Sequence, residues 1–289
     1  MHKSPLYSRT RQATDHGVKK HAQQQSKMQR FRHKRARAVH AAGHYVTRWL
    51  RDFFYKQSLV PTDPVFGKDV FPLLKNFEDS WESIHAEVTE ILKHRDAVPL
   101  FHEVSPDQRS ISKGNNWRTF ILYGFGTRLD RNCAQAPVTA SLLDKVPNIQ
   151  NAWFSILAPG YHIPRHTGVS TGILRTHLGL IVPHLAEKCR MEVDREICVW
   201  RPGEAFVFDD TYEHEVWNHT HQERVILIFD FDRPMRFWGR VLNSTFIRLI
   251  KLTAFYKEPK KRMENYEERF EAAVRAADET MEDLANLGR

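Results

Sequence analysis

From about residue 151 to residue 232 the chain runs through six short segments: AWFSIL, ILRTHLGLIV, CRMEV, EICVW, EAFVFD and RVILIFDF. They are rich in β-branched and aromatic residues and are separated by Pro, Gly and Asp, which is the signature of consecutive strands. No segment of helical periodicity lies between them. Parallel neighbours are usually joined by a helical crossover, and the gaps carry no helical pattern. An antiparallel sandwich or barrel is therefore expected, not a doubly wound parallel sheet. The run Trp200-Arg201-Pro202-Gly203-Glu204 reads as a turn between two of the strands.

Helices are expected on both sides of this core. Phe77, Trp81, Ile84, Val88, Ile91 and Leu92 share one helical face, and Pro137 to Val146 reads as a shorter helix. Pro61, Pro64 and Pro72 make 57–76 an extended connector. After Asp232, Trp238, Val241, Leu242, Phe246, Leu249 and Ile250 alternate with Arg236, Arg240, Arg248 and Lys251, and no acid occurs from Arg233 to Lys257. Met263, Tyr266, Phe270, Ala273, Ala277, Thr280 and Leu284 step by three and four. That stripe must pack on something, and a homo-oligomer through this C-terminal helix is one expectation.

Charge is distributed unevenly. Residues 1–51 hold 13 Lys/Arg and one acid, whereas the rest of the chain is mildly acidic. Residues 1–36 are expected to be disordered. Val39, Val46, Trp49, Leu50, Phe53 and Phe54 form an aromatic, basic-bordered stripe of the interfacial kind. The expected organisation is a basic tail and amphipathic helix over 1–60, a catalytic domain over 61–235 with its β core at about 150–232, and a helical extension over 236–289. Three cysteines are too few and too scattered for a disulfide framework or thiolate zinc site. No apolar run is long enough to span a bilayer. Without an apolar h-region, a secretory signal is not expected. The expected location is cytoplasmic, with peripheral attachment to the inner face of the membrane. An anionic membrane surface is the expected partner of the basic segments, and nucleic acid is not.

The β region also carries unusual polar residues: His166, Arg175, His177, His214 and Arg224. Period two puts Arg175 and His177 on one strand face. Imidazoles and guanidiniums on the strands of a small barrel are costly to bury without partners. Two imidazoles suit iron, and a buried arginine suits a carboxylate. The set points to a mononuclear iron site that binds a dicarboxylate cosubstrate. Asp209 and Asp210, just before His214, are expected to form a turn or to hydrogen-bond behind a ligand, not to ligate. Trp200 and Trp217 are expected in the core.

The runs FSILAPGYHIPRHTG, LRTHLGLIVP, CRMEV, WRPGEAFVFDDTYEHEVWN and RVILIFDFDRP resemble the aspartyl/asparaginyl β-hydroxylase family of Fe(II)/2-oxoglutarate dioxygenases. Upstream, SLVPTDPVF and WRTFILYGFG are similar to bacterial members, including the lipid A and ornithine-lipid hydroxylases. The resemblance implies a double-stranded β-helix, or jelly roll, flanked by helices. It implies His166 and His214 as the iron ligands. Arg224 and Ser155 would meet the distal carboxylate of 2-oxoglutarate, with His177 at the cosubstrate. Arg175 would face the active site as a catalytic or carboxylate-holding residue. Fe(II), 2-oxoglutarate and O2 are the implied cofactors, and a lipid or an aspartyl/asparaginyl compound is the implied substrate. Position 168 is Gly where the wider dioxygenase superfamily has the Asp or Glu of His-X-Asp/Glu. The animal aspartyl/asparaginyl hydroxylases share His-X-Gly, whereas the lipid A hydroxylases have His-X-Asp. The missing carboxylate leaves one alternative to hydroxylation, an iron halogenase on the same scaffold, and the basic extension leaves another, a non-catalytic membrane- or nucleic-acid-binding protein acting through it.

Overall fold

The computed structural model describes residues 46, 48–185, 187–251 and 254–287. The tail expected over 1–36, and Val39 of the stripe after it, lie outside these residues. The chain divides between Phe53 and Phe54. In the first unit, the described residues 46 and 48–53 are helical, Val46 and Trp49 are exposed, and Trp49 stacks on Phe53. The second unit is Phe54–Arg289.

Its helices are α1 (Leu74–Asp79), α2 (Trp81–Lys93), α3 (Phe101–Val104), α4 (Asp130–Ala134), α5 (Pro137–Leu143), α6 (Phe237–Lys251) and α7 (Ala254–Leu287). Its strands are β1 (Trp117–Gly124), β2 (Thr127–Arg128), β3 (Ile149–Leu157), β4 (Tyr161–His166), β5 (Ile173–Ile181), β6 (Cys189–Val193), β7 (Glu196–Val199), β8 (Ala205–Phe208), β9 (His214–Asn218) and β10 (Arg224–Asp232). One sheet has the order β2-β1-β3-β10-β5-β8 and the other β4-β9-β6-β7. Every named strand pair is antiparallel. The expected double-stranded β-helix with flanking helices is thus what the chain forms. The core starts earlier than expected, because β1 pairs along nearly its whole length with β3.

Side-chain alternation builds two cores from the larger sheet. Leu174, Leu178, Phe154, Ile156, Leu227 and Phe229 join Phe77, Ile84, Val88 and Ile91 in an outer core under the helices. Trp153, Leu157, Ile226 and Ile228 join Ile163, Met191 and Val216 in an inner core facing the smaller sheet. Cover on both faces explains why β10 is buried from Arg224 through Phe231 and reads as a continuous apolar run.

Three expectations change in detail. The helical face from Phe77 to Leu92 belongs to two helices, broken at Ser80, so that Phe77 can stack on Phe229 with ring centroids 4.7 Å apart. Trp200 is buried, but Trp217 faces outward, stacked on His162 and covered by Arg190. The stripe on α7 packs on its own chain over its described part. Phe270 meets Phe120, and the Glu267 carboxylate accepts the backbone N–H groups of Arg131 and Asn132, capping α4. The turn at Pro202-Gly203 is present. Gly203 has φ 75°, a conformation that favours Gly, and a Cβ there would sit 2.9 Å from the Trp81 ring.

Candidate functional site

His166 ends β4 and His214 begins β9, and the two are cross-strand partners. Their ring centroids lie 4.1 Å apart. Each Nδ1 is bonded to a carbonyl two residues back, His166 to Pro164 at 2.8 Å and His214 to Tyr212 at 2.9 Å. A carbonyl only accepts, so Nδ1 carries the proton and each Nε2 keeps its lone pair. Burial lowers both imidazole pKa values; His214 is pushed to about 3, with His166 adding to the effect. Two neutral imidazoles, each oriented by a backbone carbonyl, are what a metal ligand pair requires. Among the described residues, no group of three or more His, Cys, Asp or Glu is arranged to hold a metal.

The reason lies at Gly168. Its N–H donates to the Asp210 carbonyl at 2.6 Å. A Cβ at 168 would fall 2.0 Å from Asp210 Oδ1, so the Asp210 carboxylate fills the space that a side chain at 168 would take. That carboxylate lies 3.3 Å from Arg175 Nη2. Burial raises its pKa against the pull of Arg175. Asp209 points the other way. It is fully buried with Arg233 and accepts from Tyr55 Oη at 3.1 Å and from Thr211 N at 3.0 Å. Asp209 thus makes the expected turn, whereas Asp210 lines the cavity and bonds neither histidine.

Arg224 opens β10 on the inner side of the sheet. It is 1% exposed and lies over the Trp200 ring. Its Nη2 donates to Ser155 Oγ at 3.1 Å, and its Nε has no partner. Among the described residues no carboxylate pairs with it, and burial lowers its pKa to about 10. Ser155 Oγ also accepts from Trp117 Nε1 at 3.0 Å, so its own proton is left for a further acceptor. His177 Nδ1 accepts from Trp200 Nε1 at 3.3 Å, which leaves Nε2 as its donor. Burial, then Arg224, keep that imidazole neutral. Three buried donors of this kind, with no carboxylate bonded to them among the described residues, suit a carboxylate ligand.

Arg175 and His177 both line the same cavity, as their shared strand face requires. Arg175 is the more engaged of the two arginines. Its Nε and Nη2 bond Asp230 at 2.7 and 2.9 Å, and Asp230 is its cross-strand partner on β10. Nη1 is the nitrogen left for a ligand. The cavity holds about 160 Å³ and is lined by all six expected residues, Ser155, His166, Arg175, His177, His214 and Arg224. Trp153, Ile163, Met191, Val216 and Ile228 supply its apolar wall. Sequence reading missed Asp230 and Trp117. An acid inside the apolar run VILIFDF was the available signal for the first. Trp117 heads the run WRTFILYGFG, but nothing in that run pointed to a contact with Ser155.

The family signature described as Aspartyl/Asparaginyl beta-hydroxylase matches residues 78–234. The chain is 36% identical over 231 residues to an ornithine lipid ester-linked acyl 2-hydroxylase of Rhizobium tropici, covering 80% of this chain and 82% of that protein. It is 30% identical over 202 residues to the human aspartyl/asparaginyl beta-hydroxylase, covering 68% of this chain and only 26% of the human protein. Among solved structures, a Pseudomonas putida prolyl-4-hydroxylase aligns with a TM-score of 0.38 and 16% identity, over 56% of this chain and all of that one.

Proposed function

Because the chain belongs to the aspartyl/asparaginyl beta-hydroxylase family, we infer that it is an Fe(II)- and 2-oxoglutarate-dependent hydroxylase. The observation that carries this reading is the pairing, in one cavity, of two neutral histidines with free Nε2 atoms and a buried guanidinium with no carboxylate of its own. A lone buried charge is strongly unfavourable, and a dicarboxylate cosubstrate would relieve it.

His166 and His214 would hold the iron through Nε2. Iron, 2-oxoglutarate and O2, when bound, would supply the oxidising chemistry: one atom of O2 would enter the C–H bond and the other the succinate formed as the cosubstrate loses CO2. The protein binds, orients and excludes water. Arg224 and Ser155 hold the distal carboxylate of the cosubstrate, and His177 donates from Nε2 beside them. Arg175, held by Asp230, keeps Nη1 toward the cavity for a carboxylate of cosubstrate or substrate. The apolar wall limits water around the reacting bond.

Hydroxylation is favoured over halogenation by Gly168. A halide would have to displace the Asp210 side chain from the space beside Gly168, which that side chain already fills. The basic, aromatic segments and the similarity to the Rhizobium tropici acyl hydroxylase over 80% of the chain support an acyl chain of an amino-acid lipid, met at an anionic membrane surface. The His-X-Gly pattern supports an aspartyl or asparaginyl compound as the second candidate. Incubation of the protein with Fe(II), 2-oxoglutarate and either ornithine lipid or an aspartyl peptide tests this. Mass spectrometry should find one added oxygen on the lipid acyl chain, matched by succinate. Oxygen on the peptide alone would move the substrate to the second candidate. Succinate from neither mixture would refute the hydroxylase.

A further inference from the structure

Helix α6 presents two different sides. On one, Gly239 brings the helix against Gln57 and Met235, and the fully buried Asn243 donates to the Gly172 carbonyl at 3.1 Å. On the other, Phe237 is 59% exposed, Trp238 67% and Leu249 58%. Beside the helix runs a groove of about 570 Å³ with an apolar floor that includes Phe71, Leu73, Phe231 and Met235. Arg240 and Arg248 line it, and among the described residues neither pairs with a carboxylate. Their eight-residue spacing sets them about 12 Å apart along the helix. The one acid at the groove, Asp232, is engaged by the Gln150 amide at 2.8 Å.

We propose that α6 and this groove form a docking seat for an anionic phospholipid bilayer, with Arg240 and Arg248 at the lipid phosphates and Phe237 and Trp238 in the headgroup layer. Charge decides the occupant. A soluble anion would use the guanidiniums but leave the aromatic rings in water, whereas an anionic lipid meets both. The seat is tied to the active site. Arg233 Nε donates to the Thr171 carbonyl at 2.7 Å and Asn243 to Gly172. Both anchors hold the loop whose residues Thr167, Gly168 and Val169 line the catalytic cavity. Docking through α6 would therefore orient that cavity relative to the lipid. The choice of a bilayer rests on the lipid-hydroxylase reading above.

The test uses the full chain with vesicles of phosphatidylglycerol and phosphatidylcholine carrying brominated acyl chains. Wild type should bind, and its tryptophan emission should be quenched. Trp238→Phe should lose a distinct part of that quenching. Arg240→Gln/Arg248→Gln should weaken binding about 30-fold, roughly five-fold for each charge removed. Unchanged affinity in the double variant, with no Trp238 share in the quenching, would overturn the seat and leave binding to the basic tail. Equal competition by soluble glycerol phosphate would also overturn it, as would a wild-type dimer in sedimentation that Trp238→Ser dissociates. Binding of 2-oxoglutarate to the metal-loaded protein is the separate readout. Its absence from wild type would sink the hydroxylase reading and leave the vesicle result standing, and it should be the same in all the α6 variants.

Discussion

Arg175 and Arg224 stand on neighbouring strands and line one cavity, yet they are opposites. Arg175 is bound by Asp230 through two nitrogens, with Asp210 beside it. Burial alone would lower its pKa, but the two carboxylates outweigh it and raise the value. Arg224 is more deeply buried, has no carboxylate, and is shifted down by that burial. A buried guanidinium with its counterion inside the protein is held in place and keeps one nitrogen for a ligand. One without a counterion is a charge that the fold itself leaves uncompensated, and a bound anion would compensate it. The same residue type therefore does two jobs, and the neighbouring acids distinguish them.

The largest effect is expected at the two histidines. His166→Ala/His214→Ala removes both nitrogens that would hold iron, and 2-oxoglutarate turnover should fall to background when succinate is measured. Next in size is Arg224→Ala. Removing one partner of a buried charge pair costs about 3–5 kcal/mol, so the KM for 2-oxoglutarate should rise by two orders of magnitude or more in steady-state assays.

Stability should separate the two arginines in the opposite order. Arg175→Met leaves the buried Asp230 carboxylate unpaired and should cost about 3 kcal/mol in urea unfolding of the ligand-free protein. Arg224→Met removes an unpaired charge and should be neutral or stabilising in the same experiment. Equal losses would mean that the two guanidiniums are both structural. The smallest effect is expected at Gly168. Gly168→Ala forces a methyl group against the Asp210 carboxylate and should cost about 1–3 kcal/mol, as overpacking does. Asp210→Gly in the same chain should recover part of that loss in a double-mutant cycle.

Much of this was readable from residues. Alternation along ILRTHLGLI put Arg175 and His177 on one face, and they do line one cavity. The motif order gave the jelly roll and the six cavity residues. What could not be read is pairing at a distance. Asp230 meets Arg175 only because β5 and β10 lie side by side in one register, though 55 residues separate them. Trp117 reaches Ser155 across β1 and β3, over 38 residues. The break at Ser80 is invisible to periodicity, since the apolar spacing continues through it. The outward placement of Trp217 follows from strand parity in β9, whose burial alternates from the buried His214.

The Arg224 end of the cavity is the proposed seat of the distal carboxylate of 2-oxoglutarate. Isothermal titration of 2-oxoglutarate into protein loaded with Fe(II) under anaerobic conditions tests it directly, in wild type, Arg224→Ala and Arg175→Ala. Binding in wild type, its loss in Arg224→Ala and a smaller reduction in Arg175→Ala is the predicted result. Undiminished binding in Arg224→Ala, or no binding in wild type, would contradict the account.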